Sequence, residues 1–195
     1  MLDHATVLVL SDSHGDLTAL AAVLRWAAHN PLGDTGGRKT LSAAVFLGDG
    51  GEDIEAAETG RLSSWGESFT APWYRVRGNG DFDPAIPNSL VLETAGRTLF
   101  LTHGNRYGLE SGRRNLAAAA KASGAEAALF GHTHIPFCGE EQGLFLLNPG
   151  SIGRPRSRIG PSFAVLDCPS SGPLSARFFG FAIRGQALAV KEITV

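Results

Sequence analysis

The amino-acid sequence predicts an α/β fold in which much of one sheet is parallel. The first observation behind this prediction is that short apolar runs alternate with helix-like stretches between residues 6 and 134, which is typical of strand–helix–strand units. The second is that strands follow one another without helices after residue 143, which predicts a second, mainly antiparallel sheet packed against the first. The chain has 195 residues, 43% of them hydrophobic, so one globular domain spanning 1–195 is expected.

Five apolar runs end abruptly at a polar residue that can bind a metal ion. Runs of this length without strict alternation predict strands that are covered on both faces. In open α/β sheets, ligands bind outside the carboxyl ends of the strands, so these polar residues are expected to lie close together. The five segments are TVLVLSDSH (6–14), AAVFLGD (43–49), YRVRGNGD (74–81), TLFLTHG (98–104) and AALFGHTH (127–134).

Three helices are predicted between these strands. The first has apolar residues at helical spacing and starts at Asp16, a candidate N-cap. The second is a weaker candidate because Gly60 interrupts it. The third is rich in alanine, and Gly124 follows it as a stop signal. The three candidates are residues 16–30, 53–66 and 111–123.

The later strands are predicted from hydrophobic runs bounded by turn residues. Residues 89–102 are predicted to form a hairpin that turns at Ala95-Gly96. The segment 31–40 is the clearest exposed loop, because glycine, proline and charged residues cluster there. After residue 143 the candidate strands are GLFLLN, SFAVLDC, LSARFFGFAI and ALAVKEITV.

Composition argues against several classes of partner. The formal net charge is -2, so no basic field favours nucleic acid or an anionic membrane. The start, MLDHATVLVL, has no positive leader region, and its apolar run is too short for a signal peptide or a membrane span. A cytoplasmic location is therefore expected. Cys138 and Cys168 lack CxxC spacing and are expected to be free structural thiols.

The polar residues at the strand ends include four of the six histidines in the chain. Each residue alone also suits an ordinary cap, turn or core position, and Asn79-Gly80 is a strong hairpin signal. Their joint occurrence by chance is improbable. Imidazole with carboxylate suits zinc, manganese, iron or nickel, and seven ligands with one shared carboxylate would serve two ions, as in phosphoryl hydrolysis. The candidate ligands are Asp12, His14, Asp49, Asn79, His103, His132 and His134.

The order of these short motifs resembles the calcineurin-like metallophosphoesterases, within their short phosphodiesterase branch related to the Vps-type retromer subunit. The resemblance runs from residue 6 to about residue 168. The ordered set is far more specific than any of its parts. The segments that carry it are DSHG (12–15), GD (48–49), GNGD (78–81), THG (102–104), GHTH (131–134) and NPGS (148–151).

The resemblance implies a four-layer α/β/β/α sandwich, in which two mixed sheets are flanked by helices. It also implies a metal-dependent phosphoric ester hydrolase, most simply a phosphodiesterase of small molecules, with a hydroxide between two divalent ions as nucleophile. Manganese is the expected metal, with zinc, iron, nickel or magnesium as alternatives, and a homodimer is left open. The implied ligands are Asp12, His14, Asp49 and His134 for the first ion, and Asp49, Asn79, His103 and His132 for the second.

One position departs from the family pattern. Many relatives have a histidine after the asparagine to protonate the leaving group, and the short branch often has cysteine, whereas this chain has Gly80. Without that acid, assistance worth roughly 10²–10⁴ in rate is absent, so esters with acidic leaving groups are expected to react faster. Asp49, Asn79 and His103 remain the catalytic candidates. Asp81 is expected either to orient a ligand histidine or to be a turn residue.

Several arginines near these motifs are candidates for binding the substrate phosphate. Arg106 follows His103, while Arg154, Arg156 and Arg158 follow the NPGS segment. The competing interpretation is a solvated basic loop.

Other function classes fit less well. An amidohydrolase barrel would need about 250 residues. A metallo-β-lactamase site would need HxHxDH, but Ile135-Pro136 follows His134, and neither GxxxxGKS/T nor GxGxxG follows the first strand. A non-catalytic scaffold with this fold stays an alternative, as do a phosphomonoesterase and a phosphoprotein phosphatase.

Overall fold

The structure, a computed structural model, describes residues 3–30, 41–59, 61, 70–184 and 187–195. Those residues form three α-helices and eleven strands in two sheets. None of the helices in this part of the chain is long and apolar enough to cross a lipid bilayer. In chain order the elements are β1 (His4–Leu10), α1 (Leu17–His29), β2 (Ala43–Phe46), α2 (Gly51–Glu58), β3 (Trp73–Arg75), β4 (Ser89–Thr94), β5 (Arg97–Thr102), α3 (Arg114–Ala122), β6 (Ala127–Phe130), β7 (Phe137–Glu141), β8 (Leu144–Asn148), β9 (Ser162–Pro169), β10 (Ser175–Arg184) and β11 (Ala187–Ile193).

Both sheets are mixed. The first has six strands in the order β11-β10-β9-β1-β2-β3. Its β1, β2 and β3 run parallel, whereas β9 lies antiparallel beside β1, with Leu166 opposite Val7. The second has five strands in the order β4-β5-β6-β8-β7, of which β5, β6 and β8 run parallel.

One prediction about the sheets is wrong. The strands after residue 143 do not form a sheet of their own, because β8 joins β6 in the second sheet and β9, β10 and β11 extend the first. The five runs that end in candidate ligands are also divided, with β1, β2 and β3 in the first sheet and β5 and β6 in the second. The physical reason is that a local apolar run fixes a strand but not its partner, which lies far away along the chain.

Alternate residues of β1 face opposite layers, as expected of a strand covered on both faces. Val7 and Val9 pack between the two sheets with residues of β5 and β6, whereas Leu8 and Leu10 pack against α1. Another cluster holds α3 on the outer face of the second sheet. Each fully buried valine or leucine contributes about 1.5–3 kcal/mol. The layers are therefore helix, sheet, sheet, helix, which confirms the predicted fold class.

The first helix begins where the sequence predicts. Asp16 is its N-cap, and the side-chain carboxylate accepts the N–H of Ala19 at 2.9 Å. The second begins at Gly51, two residues before the predicted start. Gly60 and residues 62–66 of that prediction lie outside the described residues, and so does the predicted loop 31–40.

The third helix begins at Arg114, three residues later than predicted. The difference arises because Leu109–Ser111 form a short 3-10 helix ahead of it. The helix ends before Gly124, whose φ of +76° is readily adopted by glycine.

The remaining local predictions are confirmed. The hairpin of β4 and β5 turns at Ala95 and Gly96, with φ angles of +48° and +74°, as in the turns that match strand twist. Cys138 and Cys168 are both free. Burial raises the pKa of the Cys168 thiol to about 12, so this sulfur is protonated and unreactive at neutral pH.

Candidate metal centre

The loops that follow five strands of both sheets meet at one edge of the sandwich. The structure brings all seven predicted ligand side chains together there. Four of them contribute one donor atom each to a group whose atoms all lie within 4.8 Å of one another. Those four are Asp12, His14, Asp49 and His134.

Nitrogen and oxygen atoms that can bind a cation lie close to one another in the four-residue group. Nε2 of His134 lies 3.1 Å from Oδ1 of Asp12 and 3.3 Å from Nε2 of His14. Nε2 of His14 lies 3.8 Å from Oδ1 of Asp12. Nitrogen and oxygen donors that converge in this way surround a space suited to one small cation.

The other three side chains, those of Asn79, His103 and His132, form a second group beside Asp49. Nε2 of His103 is 3.6 Å from Oδ2 of Asp49 and 3.2 Å from Oδ1 of Asn79, and the rings of His103 and His132 lie 5.1 Å apart. The same Oδ2 of Asp49 is 3.7 Å from Nε2 of His14. One carboxylate oxygen therefore stands about equally far from two groups of donors.

The carboxylate of Asp12 has one satisfied and one unsatisfied oxygen. Oδ2 accepts from the hydroxyl of Ser11 at 2.5 Å and from the N–H of His132 at 3.2 Å. Oδ1 is buried and has no hydrogen-bond partner among the described residues when Nε2 of His134, 3.1 Å away, carries no proton. A buried carboxylate oxygen without a partner costs free energy. A cation in the space faced by Oδ1 would remove that cost, so the residues fit a bound metal ion.

Two of the candidate ligand histidines have the nitrogen that faces away from the cluster fixed by a backbone carbonyl. Nδ1 of His103 lies 2.7 Å from the oxygen of Leu47, and Nδ1 of His134 lies 2.5 Å from that of Arg154. A carbonyl oxygen can only accept, so each Nδ1 carries the ring proton. Nε2 then presents a lone pair to the cluster, which is the form that binds a metal ion.

Five of the seven candidate ligands have the left-handed backbone that non-glycine residues rarely adopt. Among the described residues, the other non-glycine positions with positive φ are Ala95 and Gln142, each followed by a turn glycine. Strained backbone of this kind concentrates at functional sites. The five are Asp12 at 56°, His14 at 47°, Asp49 at 59°, His132 at 67° and His134 at 59°.

The imidazoles differ in their proton affinity. Burial lowers the pKa of His14 and of His132, which favours the neutral, metal-binding form at neutral pH. Burial alone would also lower the pKa of His134, but contact with the Asp12 carboxylate outweighs it and raises that pKa. Either a proton on Nε2 of His134 or a metal ion would place positive charge next to the Asp12 carboxylate at this contact.

Asp81 does not orient a histidine, which was one of the two roles expected for it. Its carboxylate instead accepts four backbone N–H groups at 2.8–2.9 Å, those of Asp49, Gly50, Gly51 and Gly78. Burial would raise its pKa, but these four hydrogen bonds outweigh burial and lower it. The side chain therefore joins the loop after β3 to the start of α2 and fixes the backbone that carries Asp49.

We expect Asp81→Asn to lower the free energy of unfolding by about 2–3 kcal/mol at neutral pH, because charge-assisted hydrogen bonds are lost and an NH₂ group then faces backbone donors. Because the pKa of Asp81 is lower in the folded protein than its ordinary value of 3.8, the ionised carboxylate stabilises the fold at pH values above 3.8. This contribution is lost as the pH falls through the folded-state pKa. The difference from the wild type should therefore shrink in acid. Denaturant unfolding with chelator present measures it.

Asp83→Asn is the matched control, since Asp83 is an exposed carboxylate two residues further along the same loop. Its stability should stay within about 0.5 kcal/mol of the wild type. Equal losses in the two variants would contradict the role given to Asp81.

Sequence reasoning missed several residues that hold the ligand loops in place. Nδ2 of Asn148 donates to the oxygen of Gly131 at 2.7 Å and to Oγ1 of Thr133 at 3.1 Å. The hydroxyl of Ser151 donates to the oxygen of Asp12 at 2.8 Å. The NPGS segment, which the sequence marked only as a family feature, thus ties two ligand loops together. Its polar residues next to the apolar strand β8 were the available signal.

Asp53 holds the first ligand loop from the side of α2. Its Oδ2 accepts from the hydroxyl of Ser13 at 2.5 Å and from the N–H of Gly15 at 2.9 Å. The sequence pattern placed residue 53 only at the start of a helix, and no local signal marks its partners.

The arginines are placed differently from one another. Arg154 and Arg156 are exposed and line a cavity of about 380 Å³ together with His14, Asp49 and other candidate ligands. Arg106 and Arg158 are also exposed, but they do not line this cavity. Two of the four arginines therefore stand at the mouth of the ligand cluster.

Comparison with known proteins agrees with this architecture. Residues 6–171 match the calcineurin-like phosphoesterase superfamily domain. Phosphodiesterase YfcE of Escherichia coli K12 is 31% identical over 176 residues, which cover 83% of this chain and 86% of YfcE.

Solved structures have the same fold. A conserved protein of Streptococcus pneumoniae, described as a predicted phosphoesterase, superimposes with a TM-score of 0.70 at 24% identity, covering 99% of this chain and 100% of that one. Vps29 of Chaetomium thermophilum does so with a TM-score of 0.67 at 19% identity, covering 96% of each chain. Because the superfamily domain matches most of the chain, this protein belongs to the calcineurin-like phosphoesterase superfamily.

Proposed function

We propose that this protein is a phosphodiesterase whose seven clustered side chains hold two divalent metal ions. The observation that carries the proposal is the position of Asp49, whose Oδ2 lies 3.7 Å from Nε2 of His14 and 3.6 Å from Nε2 of His103. A single carboxylate oxygen between two sets of donors suits a bridging ligand. Paired ions bridged in this way are used to hydrolyse phosphoric esters. The phosphodiesterase name of YfcE supports the choice of a diester.

The ligands divide by their positions around Asp49. The unsatisfied Oδ1 of Asp12 and the carbonyl-fixed ring of His134 support one ion on one side. In the second group, Nε2 of His103 has a lone pair when Nδ1 donates to the oxygen of Leu47, and it lies 3.2 Å from Oδ1 of Asn79, so both atoms suit one cation. Manganese is the proposed metal, and zinc, iron, nickel or magnesium would suit the same nitrogen and oxygen donors.

The chain's own residues prepare the site for a phosphate anion. When bound, two divalent ions lower the pKa of water and stabilise negative charge on phosphoryl oxygens. Arg154 and Arg156 add positive charge at the mouth, and the N–H of Gly80 holds Oδ1 of Asp49 at 2.6 Å. Gly80 itself offers no side chain to protonate a leaving group. Esters of acidic alcohols should therefore be the better substrates.

The alternative is a non-catalytic protein with this fold, which the likeness to Vps29 leaves open. A phosphomonoesterase or a phosphoprotein phosphatase would use the same ligands. Comparing bis-(p-nitrophenyl) phosphate with p-nitrophenyl phosphate separates the diesterase from the monoesterase. Inactivity on both, in every metal tested, would favour the scaffold.

The direct test is metal removal and restoration. We expect chelated protein to lose hydrolysis of bis-(p-nitrophenyl) phosphate and to regain it on addition of manganese. At an ion concentration a hundredfold above its Kd, the bound metal should also stabilise the fold by about 2.7 kcal/mol, seen as a higher melting temperature. Elemental analysis should find two ions per chain. Full turnover in excess chelator would refute the proposal.

A further inference from the structure

A second cavity adjoins the ligand cluster, and neither Arg154 nor Arg156 lines it. It has a volume of about 320 Å³ and shares His14 and Asp49 with the arginine-lined cavity. A phosphodiester bound at the cluster carries two alcohols, and two cavities that meet at the same ligands can receive one each. The two cavities differ in chemistry, so each would favour a different alcohol.

The wall of the second cavity includes an aromatic side chain in an unusual position. Phe82 is 91% exposed, whereas the other exposed large hydrophobic side chains among the described residues do not exceed 48%. It lines the cavity beside Gly80 and the buried Ile86. An aromatic face left in water next to a candidate active site is more typical of ligand contact than of core packing.

Gly80 keeps this cavity open toward the cluster. A Cβ atom at residue 80 would lie 3.2 Å from Oδ1 of Asp49, and both residues line the cavity, so a side chain at this position would occupy space next to the Asp49 carboxylate. Glycine leaves that space free in a cavity that Asp49 and Phe82 also line.

The charge of the second cavity is negative. Beyond the residues next to the ligands, its lining carries the carboxylates of Glu52, Glu55 and Asp83. Apart from His14, the one basic residue that lines the cavity in the described part of the chain is Arg75, whose guanidinium pairs with Glu58 at 3.2 Å. The arginine-lined cavity has the opposite sign. An anionic substituent is therefore repelled from the second cavity, and a cationic one is attracted.

We infer that the second cavity binds one alcohol of the phosphodiester and selects an alcohol that carries a compact organic cation, such as a quaternary ammonium group. This inference rests on the proposed function. The exposed ring of Phe82 can contact such a cation face-on, while the carboxylates supply the attraction at longer range. A metal ion would instead need several oxygen ligands in close contact, and Glu52, Glu55 and Asp83 belong to no metal-binding group in the described part of the chain.

The kinetic test uses two substrates that differ only in charge, p-nitrophenylphosphocholine and p-nitrophenyl 3,3-dimethylbutyl phosphate. The wild type should prefer the cationic ester in kcat/KM by about 3- to 30-fold, the range expected of a cation–π contact. Phe82→Leu keeps the apolar volume and removes the π face, and Glu52→Gln removes one charge. Each should lower the preference, because kcat/KM should fall more for the cationic ester than for the neutral one. Glu140→Gln, an exposed carboxylate on β7, should leave the preference unchanged.

A second readout does not depend on catalysis. Calorimetric titration of chelated protein should detect choline binding more strongly than binding of the neutral isostere 3,3-dimethylbutan-1-ol, and Phe82→Leu should weaken choline alone. Equal binding of the two compounds, or an equal rate with the two esters, overturns the inference while hydrolysis of bis-(p-nitrophenyl) phosphate still supports the proposed function. Failure of that hydrolysis refutes the proposed function, and the titration then decides whether the cavity binds a cation.

Discussion

Asp49→Asn should reduce kcat/KM for bis-(p-nitrophenyl) phosphate by about 10³-fold or more, because the side chain in contact with both donor groups loses its charge. The amide has nearly the same shape as the carboxylate, so packing is unchanged. The N–H of Gly80 now donates to Oδ1 of Asp49 at 2.6 Å, and it would keep the amide oxygen in that position. The NH₂ group would then replace Oδ2 and point a donor at His14 and His103.

The metal content tests the same variant independently of turnover. Elemental analysis should find fewer than two ions per chain in Asp49→Asn and two in the wild type. Asp167→Asn is the control for the chemical change, since Asp167 lies on β9 and pairs with Arg177 at 3.6 Å, remote from the cluster. It should keep full activity. Wild-type turnover by Asp49→Asn would exclude this carboxylate from the reaction.

The candidate ligands could be predicted from sequence because each lies within four residues of the end of a strand. A buried apolar run that stops at aspartate, histidine or asparagine fixes where the strand ends, and the carboxyl ends of neighbouring strands lie at one edge. Asp12 after β1 and His103 after β5 are such cases, although they come from different sheets. The prediction did not require the sheet assignment, and it stayed useful where that assignment was wrong.

The sheet membership of the last strands could not be predicted in the same way. β9 pairs with β1 through contacts such as Val7 with Leu166, which lie at opposite ends of the chain. Any buried apolar strand offers similar side chains to a partner. Which strand becomes the partner depends on the packing of the whole molecule, and this cannot be predicted from a local run of residues.

The hydrogen bonds that position the ligands were equally hidden from sequence. An aspartate in a turn usually accepts from nearby backbone N–H groups, and Asp81 does so with Gly78. Its other three donors lie about thirty residues earlier, at Asp49, Gly50 and Gly51. These donors lie on a different loop, so they could be identified only from the folded structure. The same holds for Ser151, whose partner is the carbonyl of Asp12.

Gly78→Ala should disrupt the centre through a single methyl group, whereas Gly80→Ala should be tolerated. A Cβ atom at residue 78 would lie 2.1 Å from Oδ1 of Asp49 and 2.3 Å from its backbone nitrogen, so the loop that carries Asp49 must move. At residue 80 the same atom would lie 3.2 Å from Oδ1, which a shift of a few tenths of an ångström relieves. Both substitutions add the same volume two residues apart, so they separate displacement of Asp49 from any general effect of alanine in this loop.

A displacement of about 1 Å at a reacting centre can cost on the order of 10²-fold in rate, and overpacking of this kind costs about 1–3 kcal/mol of stability. We therefore expect Gly78→Ala to lose about 10²-fold in kcat/KM for bis-(p-nitrophenyl) phosphate, to bind fewer metal ions and to melt at a lower temperature. Gly80→Ala should stay within about tenfold of the wild type in rate, since its nearest contact is already at the edge of the normal range. If both variants kept wild-type activity and metal content, the close contact between residue 78 and Asp49 would not be what positions this carboxylate.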